Sequence, residues 1–132
     1  MPPLQGDSSS ASRSDVELTV NGLPVRAVSV DDGTATFTFA ELCERPLGVR
    51  EYLRLAEEFE RLRLITVPDL ASAERDPLTR LCQLIDVLYD RDQQFDVQAV
   101  SMPQRMLDAH RPPHDAARTL SRLAALSPAL FR

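Results

Sequence analysis

The sequence predicts a mixed α/β fold (α+β): an N-terminal antiparallel β meander followed by a βαβ unit and a C-terminal helix. Three observations predict it. Period-two alternation broken by Asn-Gly and Asp-Gly turns fills the first third of the chain. From Val49 the apolar period lengthens to that of a helix. Two short apolar runs then flank a long amphipathic segment, the strand–helix–strand order of a βαβ unit.

Val16 to Val20 alternates and meets Asn21-Gly22, a strong hairpin signal because both turn residues tolerate positive φ. Val25 to Val30 reads as the returning strand. Asp31 to Gly33 makes a second turn, and Thr34 to Phe39 alternates into a third strand. One helical turn over Ala40 to Glu44 is stopped by Pro46. From Val49, residues Val49, Tyr52, Leu53, Ala56 and Phe59 share one helical face, opposite Arg50, Arg54, Glu57 and Glu58. Leu62 to Val67 is a strand ended by Pro68. Asp76-Pro77 offers a carboxylate N-cap followed by proline at the first helical position. Leu78, Leu81, Cys82, Ile85, Leu88 and Tyr89 then trace a wide apolar stripe. Phe95 to Val100 is the next strand, parallel to its predecessor with a right-handed crossover. Asp115 to Leu126 is the last helix, with Leu120, Leu123 and Ala124 inward.

The 132 residues suit one domain, assigned to 16–132, behind a polar segment 1–15. That segment holds too few apolar side chains to offset the entropy of ordering, so it is expected to be a disordered tail. It carries no secretory or transit pattern, and no apolar run in the chain is long enough to cross a bilayer. A formal charge of −5 with scattered arginines argues against nucleic-acid binding and against adhesion to an anionic membrane. Cys43 and Cys82 sit within apolar helical patterns, as buried thiols do, and two cysteines cannot make a four-ligand zinc site. The expected location is cytoplasmic.

Every basic residue other than the two histidines is an arginine; there is no lysine. There is also no Gly-x-x-x-x-Gly-Lys-Ser/Thr run, whose backbone nest and ammonium group cradle a nucleotide's phosphates. These absences bear on a resemblance carried by several segments in order. They are Phe39–Gly48, Tyr52-Leu53 with Leu55-Ala56, Val67-Pro68, Arg80, Leu84–Asp90 and Arg118–Leu123. Together they resemble the C-terminal portion of the ZapE-like cell-division ATPases and their mitochondrial AFG-one-like relatives. The resemblance implies a P-loop ATPase of the extended AAA class, linked to division-ring remodelling in bacteria and protein quality control in mitochondria. In that family the phosphate loop and the Mg-binding acidic motif lie upstream of the matching region.

This chain is accordingly expected to be a C-terminal fragment, inactive alone. It would work through a P-loop ATPase core or a cell-division protein as partner, with ATP and Mg bound only by the complete family member. The alternative is a stand-alone protein–protein interaction module. Either way the isolated chain is expected to bind no ATP, and a face left without its core favours self-association.

By the same resemblance, Arg80, Arg118 and Arg122 are possible phosphate-sensing arginines. Arg118 and Arg122 are four apart, on one side of a helix; a solvated face with Asp115 nearby explains the spacing as well. Glu51, Thr79, Pro77 and Ala124-Ala125 depart from the family pattern. No catalytic or metal-ligating set emerges. Asp86 and Asp90 have the spacing of paired carboxylates but lack a nucleophile nearby. His110 and His114 are separated by Pro112-Pro113, which breaks the helix a metal pair would need. Met102 to Leu107 offers either a contact surface or a cap on the sheet.

Overall fold

A computed structural model describes residues 12–131. Five strands form one sheet in sequential order: β1 (Arg13–Val20), β2 (Leu23–Asp31), β3 (Thr34–Thr38), β4 (Arg61–Val67) and β5 (Gln94–Ala99). The β1–β2 and β2–β3 pairs are antiparallel, whereas β3–β4 and β4–β5 are parallel. The helices are α1 (Phe39–Cys43) and α2 (Val49–Glu58) between β3 and β4, α3 (Arg75–Asp90) between β4 and β5, and α4 (Ala116–Leu126) near the end. The mixed α/β class and the parallel βαβ unit are as the sequence predicts.

Both hairpin turns have two residues with positive φ: Asn21 at 51° and Gly22 at 84°, then Asp32 at 52° and Gly33 at 82°. This geometry matches the twist of the flanking strands. The first strand starts at Arg13, three residues before the sequence places it. Main-chain pairing of Arg13 with Val30 and Ser14 with Ser29 extends the hairpin through polar residues of β1. The rest of the N-terminal tail, residues 1–11, lies outside the described residues. The hairpin outruns the short β3. Where β3 ends, Glu41 of α1 accepts a hydrogen bond from the Arg26 N–H at 2.9 Å, and Asn21 donates to the Arg50 carbonyl of α2.

The helices cover one face of the sheet, with α3 central and packed against α1, α2 and α4. On β4, Leu62, Leu64 and Val67 are buried while Arg63 and Thr66 are exposed, so the opposite face stays open. That face is polar: Arg61 reaches Gln94, and Asp96 lies 4.0 Å from both Arg61 and Arg63. Open parallel sheets are uncommon, because apolar strands need both faces covered. Here the arginines and threonines of the open face make cover unnecessary. The β5 edge is partly closed, since the Ser127 hydroxyl donates to the Phe95 carbonyl.

Two helix readings need correction. In α2 the buried residues are Tyr52, Leu55 and Ala56, while Val49 and Leu53 are exposed. The sheet and α3 select a stripe rotated toward Leu55. In α3 the N-cap is Glu74 and Pro77 stands at the third helical position rather than the first. Proline fits there because the first four N–H groups of a helix have no intrahelical acceptor. The α3 stripe is also wider than its own periodicity suggests, with Leu84 and Val87 buried as well.

Candidate functional site

The parallel strands β3 and β4 end side by side at Thr38 and Val67, and the chain there opens a crevice against the start of α3. Ligands of open α/β sheets bind outside such carboxyl ends. A cavity of about 650 Å³ lies in the crevice, lined by Phe39, Glu44, Pro68, Asp69, the stretch Ser72–Glu74, Asp76, Pro77 and Arg80. A second of about 630 Å³ adjoins it, with Arg75, His110 and Arg111 in its wall.

Backbone irregularity sets the crevice shape. The β4–β5 register shifts between Leu64 and Val67, and Thr66 has a φ of 55°. A left-handed β-branched residue is rare and costs about 1–2 kcal/mol. The resulting bulge bends the strand end and re-aims Pro68 and Asp69. Asp69 ties the crevice floor to the next loop. It accepts from Arg105 at 2.6 and 2.8 Å, from Ser101 at 3.1 Å and from the Ala71 N–H. The Arg105 hydrogen bonds, foremost, hold its carboxyl down at about 2.

The three arginines singled out by sequence do not converge. Arg80 lines the crevice and donates to the Cys43 carbonyl at 3.2 Å. Arg122 lies against the other flank of α3, 2.9 Å from Asp86 and with its guanidinium 5.0 Å from the Tyr89 ring centroid. Positions 80 and 86 are six apart on one helix, which puts them on different sides. Arg118, 59% exposed, sits 3.4 Å from Asp115. Thus Arg122 clamps α4 to α3, Arg118 lies on a solvated face, and Arg80 lines the crevice cavity.

Asp86 is the Arg122 partner, and Asp90 is exposed at the end of α3. His114 approaches Asp115, whereas His110 lines the second cavity. Among the described residues no group of three His, Cys, Asp or Glu is arranged to hold a metal ion. Both cysteines are free and buried. Burial pushes the Cys43 thiol far up and that of Cys82 up to about 11, which favours the neutral thiol over the thiolate. Sequence reasoning missed Asp69 and Glu74. Their signal was a carboxylate just past a strand end and just before a helix, but the chain holds 20 acidic residues and nothing local marks these two.

Two residues of the segments around α2 serve packing and capping. Tyr52, wholly buried, donates from its hydroxyl to the Leu42 carbonyl at 2.6 Å, joining α2 to the end of α1. Glu51 accepts from the Gly48 N–H at 2.8 Å and so caps α2. In the Met102–Leu107 stretch Met106 and Pro103 are buried, while Met102 and Leu107 face outward beside Val100, which is 75% exposed.

The AFG1-like ATPase family matches residues 4–131, and this chain belongs to that family. Lactation elevated protein 1 homolog B of Danio rerio is 34% identical over 91 residues, 69% of this chain and 18% of that protein. Uncharacterized protein C115.02c of Schizosaccharomyces pombe is 31% identical over 74 residues, 56% of this chain and 16% of that protein. The matches therefore span less than a fifth of those relatives' length. No solved structure matches. Among the described residues no helix is long and apolar enough to cross a membrane.

Proposed function

We propose that this chain is the C-terminal α/β part of an AFG1-like ATPase and serves ATP-driven work without holding the nucleotide itself. One observation carries the reading: a chain of an ATPase family contains neither a lysine nor a glycine-rich phosphate loop in its 132 residues. A P-loop core, on a partner or on further polypeptide, would supply the nest and ammonium group and bind ATP with Mg. The work served is the remodelling of a cytoplasmic protein assembly, such as a division ring, or protein quality control.

A second reading, a stand-alone interaction module, is favoured by the outward-facing Val100, Met102 and Leu107. The same residues support self-association of the chain by itself.

Titration calorimetry of the purified chain with Mg–ATP tests the first reading. The expected result is no binding heat up to millimolar nucleotide, with turnover appearing only when the P-loop core of a relative is added. ATP turnover by the pure chain, abolished by Arg118→Ala or Arg122→Ala, would refute it. Light scattering separates the second reading by showing whether Val100→Ser with Met102→Ser abolishes association.

A further inference from the structure

We propose that the free edge of β5 is a dimerisation strand, pairing antiparallel with the β5 of a second copy of this chain about a two-fold axis through Gln98. The inference rests on the interaction-module reading and gives it a partner and a register. β5 is the last strand of the sheet and pairs with β4 alone. Its main-chain directions are fixed at both ends. The Phe95 carbonyl accepts from Ser127, away from β4, whereas the Val100 N–H donates to the Val67 carbonyl of β4. Alternation along the strand therefore points the N–H and C=O groups of Val97 and Ala99 outward, and among the described residues no backbone group takes them. Just past the strand, Val100, Met102 and Leu107 are exposed.

The two edges of the sheet differ. In β1, Arg13, Asp15 and Glu17 are exposed, and Asp15, with a φ of 55°, drops out of the ladder with β2. Charge and irregularity of this kind keep an edge from pairing. β5 has no proline and no residue of positive φ, and its single charge, Asp96, lies 4.0 Å from both Arg61 and Arg63. A second copy fits this edge because the register closes on itself without opposing like charges. An axis through Val97 would need the Phe95 carbonyl, which Ser127 covers. One through Ala99 would need Ser101 in the strand, but β5 ends at Ala99. The axis through Gln98 sets Val97 of each copy opposite Ala99 of the other as hydrogen-bonded pairs, and Gln98 opposite its own mate. Asp96 then faces Val100 rather than another carboxylate. The end of β5 in one copy meets the start of β5 in the other, where Ser127 stands with its neighbour Leu126 and with Leu130, whose N–H it accepts. Those leucines, half-buried in the free chain, receive Val100 and Met102.

Sedimentation velocity of the full chain is expected to show a concentration-dependent equilibrium of monomer and dimer. Val97→Pro removes an outward N–H in both copies, at a position where an edge strand accepts proline, and should weaken the dimer about tenfold or more. Val49→Ser with Leu53→Ser, exposed apolar residues of α2, should leave it within about twofold. Gln98→Cys, with Cα atoms about 4.5 Å apart across the axis, should crosslink under oxidised glutathione, whereas Gln94→Cys should not. Urea unfolding checks that each variant is folded. A monomer at every soluble concentration, a dimer indifferent to Val97→Pro, or crosslinking through Gln94→Cys as fast as through Gln98→Cys would overturn the proposal. Association that survives Val97→Pro but is lost in Val100→Ser with Met102→Ser would overturn it too, while leaving the module reading in place.

Discussion

Replacing Arg122 by methionine tests whether the second motif arginine is a structural clamp. The side chain is 24% exposed and its partner Asp86 33%, so the 2.9 Å pair is half-shielded from water. Exposed pairs contribute about 0–1 kcal/mol, and a charge-assisted hydrogen bond in partial burial sits at the upper end. The guanidinium over Tyr89 adds about 0.5–1 kcal/mol. Methionine keeps the apolar stem and removes both polar contacts, so Arg122→Met should cost about 1.5–2 kcal/mol. Each kcal/mol lowers Tm by roughly 3–5 °C at this size. Arg118→Met, beside an exposed Asp115, should stay within about 0.5 kcal/mol. The assay is urea unfolding of Arg122→Met, Asp86→Asn and the double variant, and the cycle should show coupling of about 1 kcal/mol. Coupling below about 0.3 kcal/mol, with Arg122→Met no worse than Arg118→Met, would refute the clamp.

Tyr52→Phe should cost about 1–3 kcal/mol, because it leaves the buried Leu42 carbonyl without its donor; chemical denaturation checks it, and a neutral outcome would mean water replaces the hydroxyl. Asp69 supplies a pH test. Its folded pKa is depressed, so its stabilising contribution is complete above its ordinary value near 3.8 and is lost as pH falls through about 2. Carbon-detected titration of the Asp69 carboxyl should show the low value, and Arg105→Gln should raise it toward the ordinary one.

Some of this architecture was legible locally. Asn21-Gly22 and Asp32-Gly33 place two hairpins because few other residues accept positive φ. The stripe from Leu78 to Leu88 places α3, and its flanking apolar runs place β4 and β5. The parallel pairing of β3 with β4 was not legible. Two short helices and the Pro46–Gly48 break separate those strands, and no local pattern records which distant edge a strand will join. The rotation of α2 toward Leu55 was hidden for the same reason, since its partners come from elsewhere in the chain.

For the candidate site the division is sharper. The sequence alone determined that these 132 residues contain neither a lysine nor a glycine-rich phosphate loop, since both are facts of composition and order. It also marked Arg80, Arg118 and Arg122. Only the tertiary structure decided their separate fates: a crevice wall, a solvated face, and a clamp on Asp86 beneath which Tyr89 lies. The physical reason is that a charge's role depends on what lies within a few ångströms of it. Those neighbours are set by the packing of α4 on α3 and by the bulge at Thr66, and neither is written in any one stretch of residues.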